Sequence, residues 1–457
     1  MSEQLVKASA TWMAQAIHQR EVSAVDLFDA HAARIAERDP QVNALVLPRL
    51  DEARAEAVEA DAALARGEHL GPLHGVPFTA KDPIAAAGMP SPNGSRLFAD
   101  HVDDADAVPL RRLRDAGAIL LGKTNVPEFC GHWDTYNELF GATGNPHDIT
   151  RSAGGSSGGE AAALASAMTA LGLGSDYGGS IRCPAHCCGL FGLRPGRDTV
   201  PWADHHPMVN GPGPRMMATV GPLARCVDDL ELALAVLAPL EPAVGAPAGV
   251  AVFEDDGLQP VAAACRAAVG RAADALGNAG HDVVAARPPG QREVRAAYDT
   301  VLVHEAATGM AANLDGREEE LSPPTREMLD ALRGFEPALA PYLEAFARLL
   351  AVEREADLWL ERHGAALCPV APDAAPPLRG SFGPVDGEPM RPGGKLTLCT
   401  YASALGLPAV AVPVARTTEG LPVGVQLIGR RGHERALLAL ARELETALGG
   451  WLDPDGP

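Results

Sequence analysis

No apolar run in the sequence reaches the roughly 18 residues that a membrane-spanning helix needs, so no span is expected. The opening stretch, MSEQLVKASATWMAQ, lacks a basic segment followed by an apolar one, so no secretory leader is expected and the cytoplasm is the expected location. Positive charge is in deficit: 38 Lys and Arg stand against 59 Asp and Glu, a formal net charge of −21. A surface this acidic repels nucleic acid and anionic membranes, and neither is an expected partner. None of the eight cysteines falls in a CxxC pair. Cys183, Cys187 and Cys188 cluster around His186, but zinc ligand sets come as two separated pairs and only one cluster is present. The cysteines are therefore expected to be buried free thiols, with no metal and no disulfide. No repeat of solenoid period occurs. Aromatics are scarce at 4%, which makes the local group Phe129, Trp133 and Tyr136 stand out.

What is present is 47% apolar residues in 457, enough for a large core. Helical spacing covers 8–19 and 23–38, the second opened by the Ser23–Asp26 capping signal and expected to end at Asp39-Pro40. A short strand over 42–47 and a helix over 51–66 follow. Leu73 to Ala80 reads as a buried strand running into Lys81. Farther along, strands over 249–254 and 281–285 bracket a helix over 258–279, an α/β succession. Residues 292–366 read as mostly helical, interrupted at Pro323-Pro324. The Pro- and Gly-rich residues 369–394 form a long connection, and a helix follows over 396–405. Strands over 410–413 and 423–428 and a helix over 433–448 close the chain. Trp202, His205, His206 and Met208 sit in a Pro- and Gly-rich loop that could border a substrate entrance.

The stretch that organises the chain is 154–195. It opens with Gly154-Gly155-Ser156-Ser157-Gly158-Gly159, continues in an apolar run from Ala161 to Leu173, and reaches Gly178-Gly179-Ser180. Glycine lets a ligand approach the main chain closely, and successive backbone N–H groups can hold an anion. A serine set in an anion-binding turn is the physical reading. A flexible linker would not surround a buried-looking helix and then run into Ile181-Arg182-Cys183-Pro184. Lys81 ends an apolar strand, where burial costs an ammonium dearly and yields a neutral amine able to act as a base. A lysine snorkelling to the surface is the alternative.

Two other patterns are decoys. Gly117 to Thr124 matches the phosphate-loop pattern GxxxxGK[ST], but its intervening residues are apolar and strand-like, and Pro127 interrupts the helix that should follow. Gly155-Ser156-Ser157-Gly158-Gly159 fits GxSxG, the nucleophile elbow, but residues 145–153 before it are polar and loop-like rather than a buried strand.

GGSSGG at 154–159, GSDYGGSIRCPA at 174–185 and GVPFTAKDPI at 75–84 together resemble the amidase signature family of serine hydrolases. Gly122 to Phe129, Gly221 to Arg225 and Gly420 to Gln426 fit the same resemblance, in the same order, over most of the chain. The resemblance implies one α/β domain over 1–457, with a mixed, twisted central β-sheet flanked by helices on both faces. Residues from about 200 to 380 are the candidate substrate-capping part. It implies hydrolysis of a carboxylic amide through an acyl-enzyme, with no cofactor and a small-molecule amide as the partner. Ser180 is the implied nucleophile, Ser156 the relay and Lys81 the base, with a cis peptide linkage from Ser156 to Ser157. Tyr177, Gly178, Gly179 and Ser180 are the implied oxyanion donors, with Ser157, Asp176 and Arg182 in support. Cys130, Gly131, His132 and Trp133 are candidate pocket residues. The family pattern commonly has Asn at Pro83 and Thr at Ser175, and Tyr177 stands where a small or branched residue is usual. A glutaminase subunit of an amidotransferase, which shares this motif set, is one alternative, and an acyltransferase or esterase using the same acyl-enzyme with a different acceptor is another. Oligomeric state stays open, a homodimer included.

Overall fold

The computed structural model describes residues 2–68, 71–202, 205, 211–238, 245–311, 314, 316–390 and 397–456. In chain order the strands begin with β1 (Leu45–Pro48), β2 (Pro77–Lys81) and β3 (Ile119–Thr124). Two small ribbons follow, β4 (Tyr136–Asn137) with β5 (Gly141–Ala142) and β6 (Gly144–Asn145) with β7 (Asp148–Ser152). Then come β8 (Leu171–Asp176), β9 (Phe191–Arg194), β10 (Thr219–Ala224), β11 (Gly249–Val252) and β12 (Asp282–Ala285). β13 (Ala365–Pro369), β14 (Ala409–Arg416) and β15 (Pro422–Ile428) end the series.

Apart from the ribbons, the described strands make an eleven-stranded sheet in the order β1-β3-β2-β8-β10-β9-β14-β15-β13-β11-β12. It is mixed: β2 runs parallel to β3 and β8, whereas β10 is antiparallel to β8. Helices flank both faces, as the fold class expected from the sequence has it. The central strands read as near-continuous apolar runs because both faces are covered. Phe78 in β2 and Leu173 in β8 are fully buried, each burial favourable by about 1.5–3 kcal/mol.

The β2–β8 pairing positions the chemistry. Thr79 lies beside Gly172 and Ala80 beside Leu173, so the carboxyl ends of both strands, at Lys81 and Asp176, open on one edge. Ligands of such sheets bind beyond strand carboxyl ends. The helix Gly158–Ala165, fully buried, leads into β8 from the first serine turn. Gly159 lets it come close, since a Cβ there would overlap the backbone of Asn125.

Three local expectations are corrected. The helix Ala24–Val42 runs through Pro40 and stops at Asn43, which takes the left-handed conformation (φ 55°). Pro40 lies in the last turn, so little helix follows it to be disturbed, and beyond the helix end Asp39 Oδ1 accepts from the N–H groups of Ala44 and Leu45. Pro323-Pro324 does not interrupt a helix but starts one, Pro323–Leu332, because proline suits the first helical turn. The apolar run 161–173 divides: the helix ends at Ala165, Ala167 turns the chain with φ 56°, and the rest enters β8.

Both decoys resolve in the same way. Residues 119–124 are β3, a buried strand, so no phosphate loop exists there. A strand, β7, does precede the GxSxG-like residues, but it belongs to a two-stranded ribbon and not to the central sheet.

Candidate active site

Lys81 is 1% exposed at the end of β2. Its Nζ donates to Ser156 Oγ at 2.7 Å and to Ser175 Oγ at 3.0 Å. Burial pulls its pKa below the ordinary lysine value, against the opposite pull of Cys130, Asp176 and Glu160. Glu160, fully buried beneath it, accepts from Thr79 Oγ1 and Thr124 Oγ1 at 2.8 Å each. Burial raises that carboxyl to about 8, which weakens its pull on the lysine. A lysine so placed, with hydroxyls as its nearest polar partners, is suited to accept a proton.

The two serine turns are tied through Ser157. Its N–H donates to the Ser180 carbonyl at 3.2 Å, and its Oγ donates to the Ser175 carbonyl at 3.3 Å. The cis peptide bond is Gly155–Ser156, one residue before the expected position. Gly155 is pressed against neighbouring backbone: a Cβ there would lie 2.9 Å from the His132 carbonyl oxygen. Ser180, 7% exposed, opens onto the same cavity as Lys81 and Ser156. Among the described residues, no hydrogen bond joins its hydroxyl to Ser156.

Asp176 holds the second turn. Its Oδ1 accepts from the Gly179 N–H at 2.8 Å and its Oδ2 from the Ile181 N–H at 3.1 Å. Arg182 binds it through two nitrogens, Nε to Oδ2 at 3.0 Å and Nη2 to Oδ1 at 2.9 Å. Arg182 also reaches Gln426 Oε1 at 2.8 Å and Ser403 Oγ at 2.8 Å. Burial alone would raise the Asp176 carboxyl, but the charges of Arg182 and Arg194 hold it well below the usual carboxylate range. The Gly179 N–H is thus committed to Asp176, which removes it from the four expected oxyanion donors. Tyr177, Gly178 and Ser180 line the cavity and Gly179 does not. Gly179 is still required as glycine: its φ is +115°, and a Cβ would lie 2.8 Å from Cys399 Sγ and 2.9 Å from Trp133 Cζ2.

These residues share a cavity of about 300 Å³. Cys130, Gly131, His132 and Trp133, the pocket candidates from the sequence, all line it. Cys130 follows Phe129 in a second consecutive left-handed conformation (φ 57° after 54°), and its Sγ donates to Asn93 Oδ1 at 3.3 Å. Of the loop read as a substrate border, Trp202 and His205 line the cavity, their rings stacked at 4.1 Å; His206 and Met208 lie outside the described residues. Another hollow, of about 360 Å³ beside Trp12, has no ionisable lining and lies apart from this cluster.

The sequence reading missed one wall. Tyr298, Leu302 and Glu305 come from the helix Gln291–Glu305 and lie on one helical stripe. The Tyr298 ring lies 5.9 Å from that of Tyr177. Their i, i+4, i+7 spacing was the available signal, and it is the same signal that ordinary packing gives. His186, weighed as a zinc ligand, is a buried strap: one ring nitrogen accepts from the Gly424 N–H at 3.0 Å and the other lies 3.0 Å from the Asp373 carbonyl.

Residues 26–438 match the Amidase family. An indoleacetamide hydrolase of Bradyrhizobium diazoefficiens is 32% identical over 462 residues, spanning 96% of this chain and 86% of that protein. A glutamyl-tRNA(Gln) amidotransferase subunit of Nitratidesulfovibrio vulgaris is 33% identical over 480 residues, 95% of each. Among solved structures, a bacterial aryl acylamidase of the amidase signature family superposes with a TM-score of 0.86 at 26% identity, covering 96% of each chain.

Proposed function

The chain belongs to the amidase signature family of amide hydrolases, and on that footing we propose that it cleaves a carboxylic amide through an acyl-enzyme on Ser180. The observation that carries this reading is the buried Lys81 amine, 2.7 Å from Ser156 Oγ, in a cavity that also holds Ser180. A serine hydroxyl is a weak nucleophile until a base takes its proton, and a desolvated lysine is such a base.

In this reading Ser180 Oγ bonds to the carbonyl carbon while its proton passes to Ser156, whose own proton passes to Lys81. The carbonyl oxygen becomes an oxyanion facing the N–H groups of Tyr177, Gly178 and Ser180, each donor contributing about 3–4 kcal/mol to the transition state. Lys81 returns the proton through Ser156 to the departing nitrogen, the C–N bond breaks, and the amine leaves neutral. Water then attacks the ester through the same relay, releasing the acid and restoring Ser180. Ser157, Asp176 and Arg182 position the two turns and touch no reacting atom.

The aromatic wall of Trp133, Tyr177, Trp202 and Tyr298 favours an aryl-bearing small molecule as the amide. The likeness to an indoleacetamide hydrolase and to an aryl acylamidase supports the same class. The likeness to the amidotransferase protein supports a second reading, a glutaminase that works beside partner subunits. The net charge of −21 favours neither nucleic acid nor anionic membrane as a partner. We place the enzyme in the cytoplasm, acting as one domain.

The test is turnover of aliphatic, aryl-acyl and anilide amides and of glutamine by the isolated chain and by Ser180→Ala. Ser180-dependent hydrolysis of an aryl amide is expected. Hydrolysis of glutamine alone would favour the glutaminase reading, and an unimpaired Ser180→Ala would refute both.

A further inference from the structure

Glu305 contributes the sole carboxylate to the cavity lining among the described residues. One of its oxygens, Oε1, accepts from the Tyr342 hydroxyl at 2.6 Å and from the Gly213 N–H at 2.7 Å. No hydrogen bond reaches Oε2 among the described residues, and no Lys, Arg or His there forms an ion pair with the carboxylate. A purely structural role, pinning the helix Pro212–Met217 to the helix Gln291–Glu305, accounts for Oε1 alone. A neutral glutamine would serve that role equally well.

The surroundings of Glu305 fit a positively charged visitor. Seven residues before it on the same stripe, about 10 Å of helix, stands Tyr298, whose ring lies against Tyr177 beside the Gly178-Gly179-Ser180 turn. Aromatic faces attract cations, and a carboxylate with no ion pair among the described residues gains most from a charged donor. A molecule with its carbonyl at Ser180 and an ammonium at its other end would run along the tyrosines to Glu305. We propose that Glu305 is a specificity-determining residue that recognises a cationic amine carried by the amide substrate. The proposal rests on the hydrolase reading above and narrows its substrate class.

The test uses two matched pairs of amides. In the first, anilides of para-(aminomethyl)phenylacetic acid and para-ethylphenylacetic acid differ by an ammonium on the acyl half. In the second, phenylacetyl amides of para-(aminomethyl)aniline and para-ethylaniline differ in the same way on the amine half. In at least one pair the wild type should prefer the ammonium member in kcat/KM by about ten-fold or more. Glu305→Gln keeps an acceptor for Tyr342 and Gly213 but removes the charge, and should lower that ratio by about ten-fold. Glu305→Asp, which keeps the charge, should retain the order of preference. Ser180-dependent turnover of these amides with no ammonium preference in either pair overturns the proposal, whether or not the variants fold. So does a folded Glu305→Gln enzyme with the wild-type ratio. Failure of all four amides to turn over in a Ser180-dependent way overturns the hydrolase reading as well.

Discussion

Asp176 and Arg182, six residues apart in sequence and fully buried, form a two-nitrogen ion pair at 2.9 and 3.0 Å that holds the Gly178-Gly179-Ser180 turn. The carboxylate also takes the N–H groups of Gly179 and Ile181, and the guanidinium reaches Gln426 in β15. The pair therefore joins the serine turn to the far half of the sheet. Removing one partner strands a buried charge, so Arg182→Met should cost about 3–5 kcal/mol, read from the denaturation midpoint. A cost under about 1 kcal/mol would contradict this role.

The same pair sets an acid dependence. The Asp176 carboxyl is depressed in the folded state, so its stabilising contribution is present above the unfolded carboxylate value of about 3.9. It is lost as pH falls through the folded value, which lies lower. Wild-type stability should decline steeply only below about pH 4, and Asp176→Asn should flatten that decline. Equal slopes for the two proteins in acid urea titrations would count against the assignment.

Glu160 gives the opposite slope. Its folded carboxyl is raised to about 8 from an ordinary 4.5, because burial outweighs the hydrogen bonds from Thr79 and Thr124. Its contribution is complete below 4.5 and is lost as pH rises toward about 8. Glu160→Gln should be less sensitive to pH than the wild type across that window, as measured by melting temperature. An unchanged pH profile would show that Glu160 does not titrate there.

In the proposed mechanism Lys81 trades stability for chemistry. Its folded pKa is lowered, so protonation is penalised in the folded state, and the penalty eases as pH rises from that value toward the ordinary 10.5. Lys81→Met should therefore be at least as stable as the wild type at neutral pH while losing more than about a thousand-fold in kcat. In the wild type, kcat/KM should rise with pH along a limb whose midpoint lies below 10.5. A limb at the ordinary lysine value would mean the amine is not desolvated.

Gly179→Ala tests the turn by shape. The φ of +115° and the 2.8 Å approach to Cys399 leave no place for a methyl group. About 1–3 kcal/mol of stability should be lost, along with about a hundred-fold or more in kcat. Retention of wild-type kcat would show that the turn can open without consequence.

The sequence made the motifs more legible than the pocket. Lys81, Ser156 and Ser180 stand out locally, as a lysine closing an apolar strand and as serines among glycines, but their roles came from the family resemblance; the structure brings the three to one cavity. The α/β order was likewise visible in the apolar runs that became β2, β3 and β8. Tyr298 and Glu305 were not, because their helical spacing looks the same whether a stripe faces a core or a cavity. Only the packing of the helix Gln291–Glu305 beside the serine turn distinguishes the two. The commitment of the Gly179 N–H to Asp176 was equally hidden, since composition says nothing about which way a turn's N–H groups point. Pro40 and Pro323 misled as helix breakers because proline harms a helix by position, and one lies in a last turn and the other in a first.

The central claim is that Lys81, through Ser156, makes Ser180 the nucleophile. It is tested most directly by trapping the covalent adduct with a fluorophosphonate and mapping it by peptide mass spectrometry in the wild type, Lys81→Met and Ser156→Ala. The account predicts a single modified site at Ser180 in the wild type, with labelling slowed by more than about a hundred-fold in both variants. A label on any other residue, or Ser180 labelled at the wild-type rate without Lys81, would contradict it.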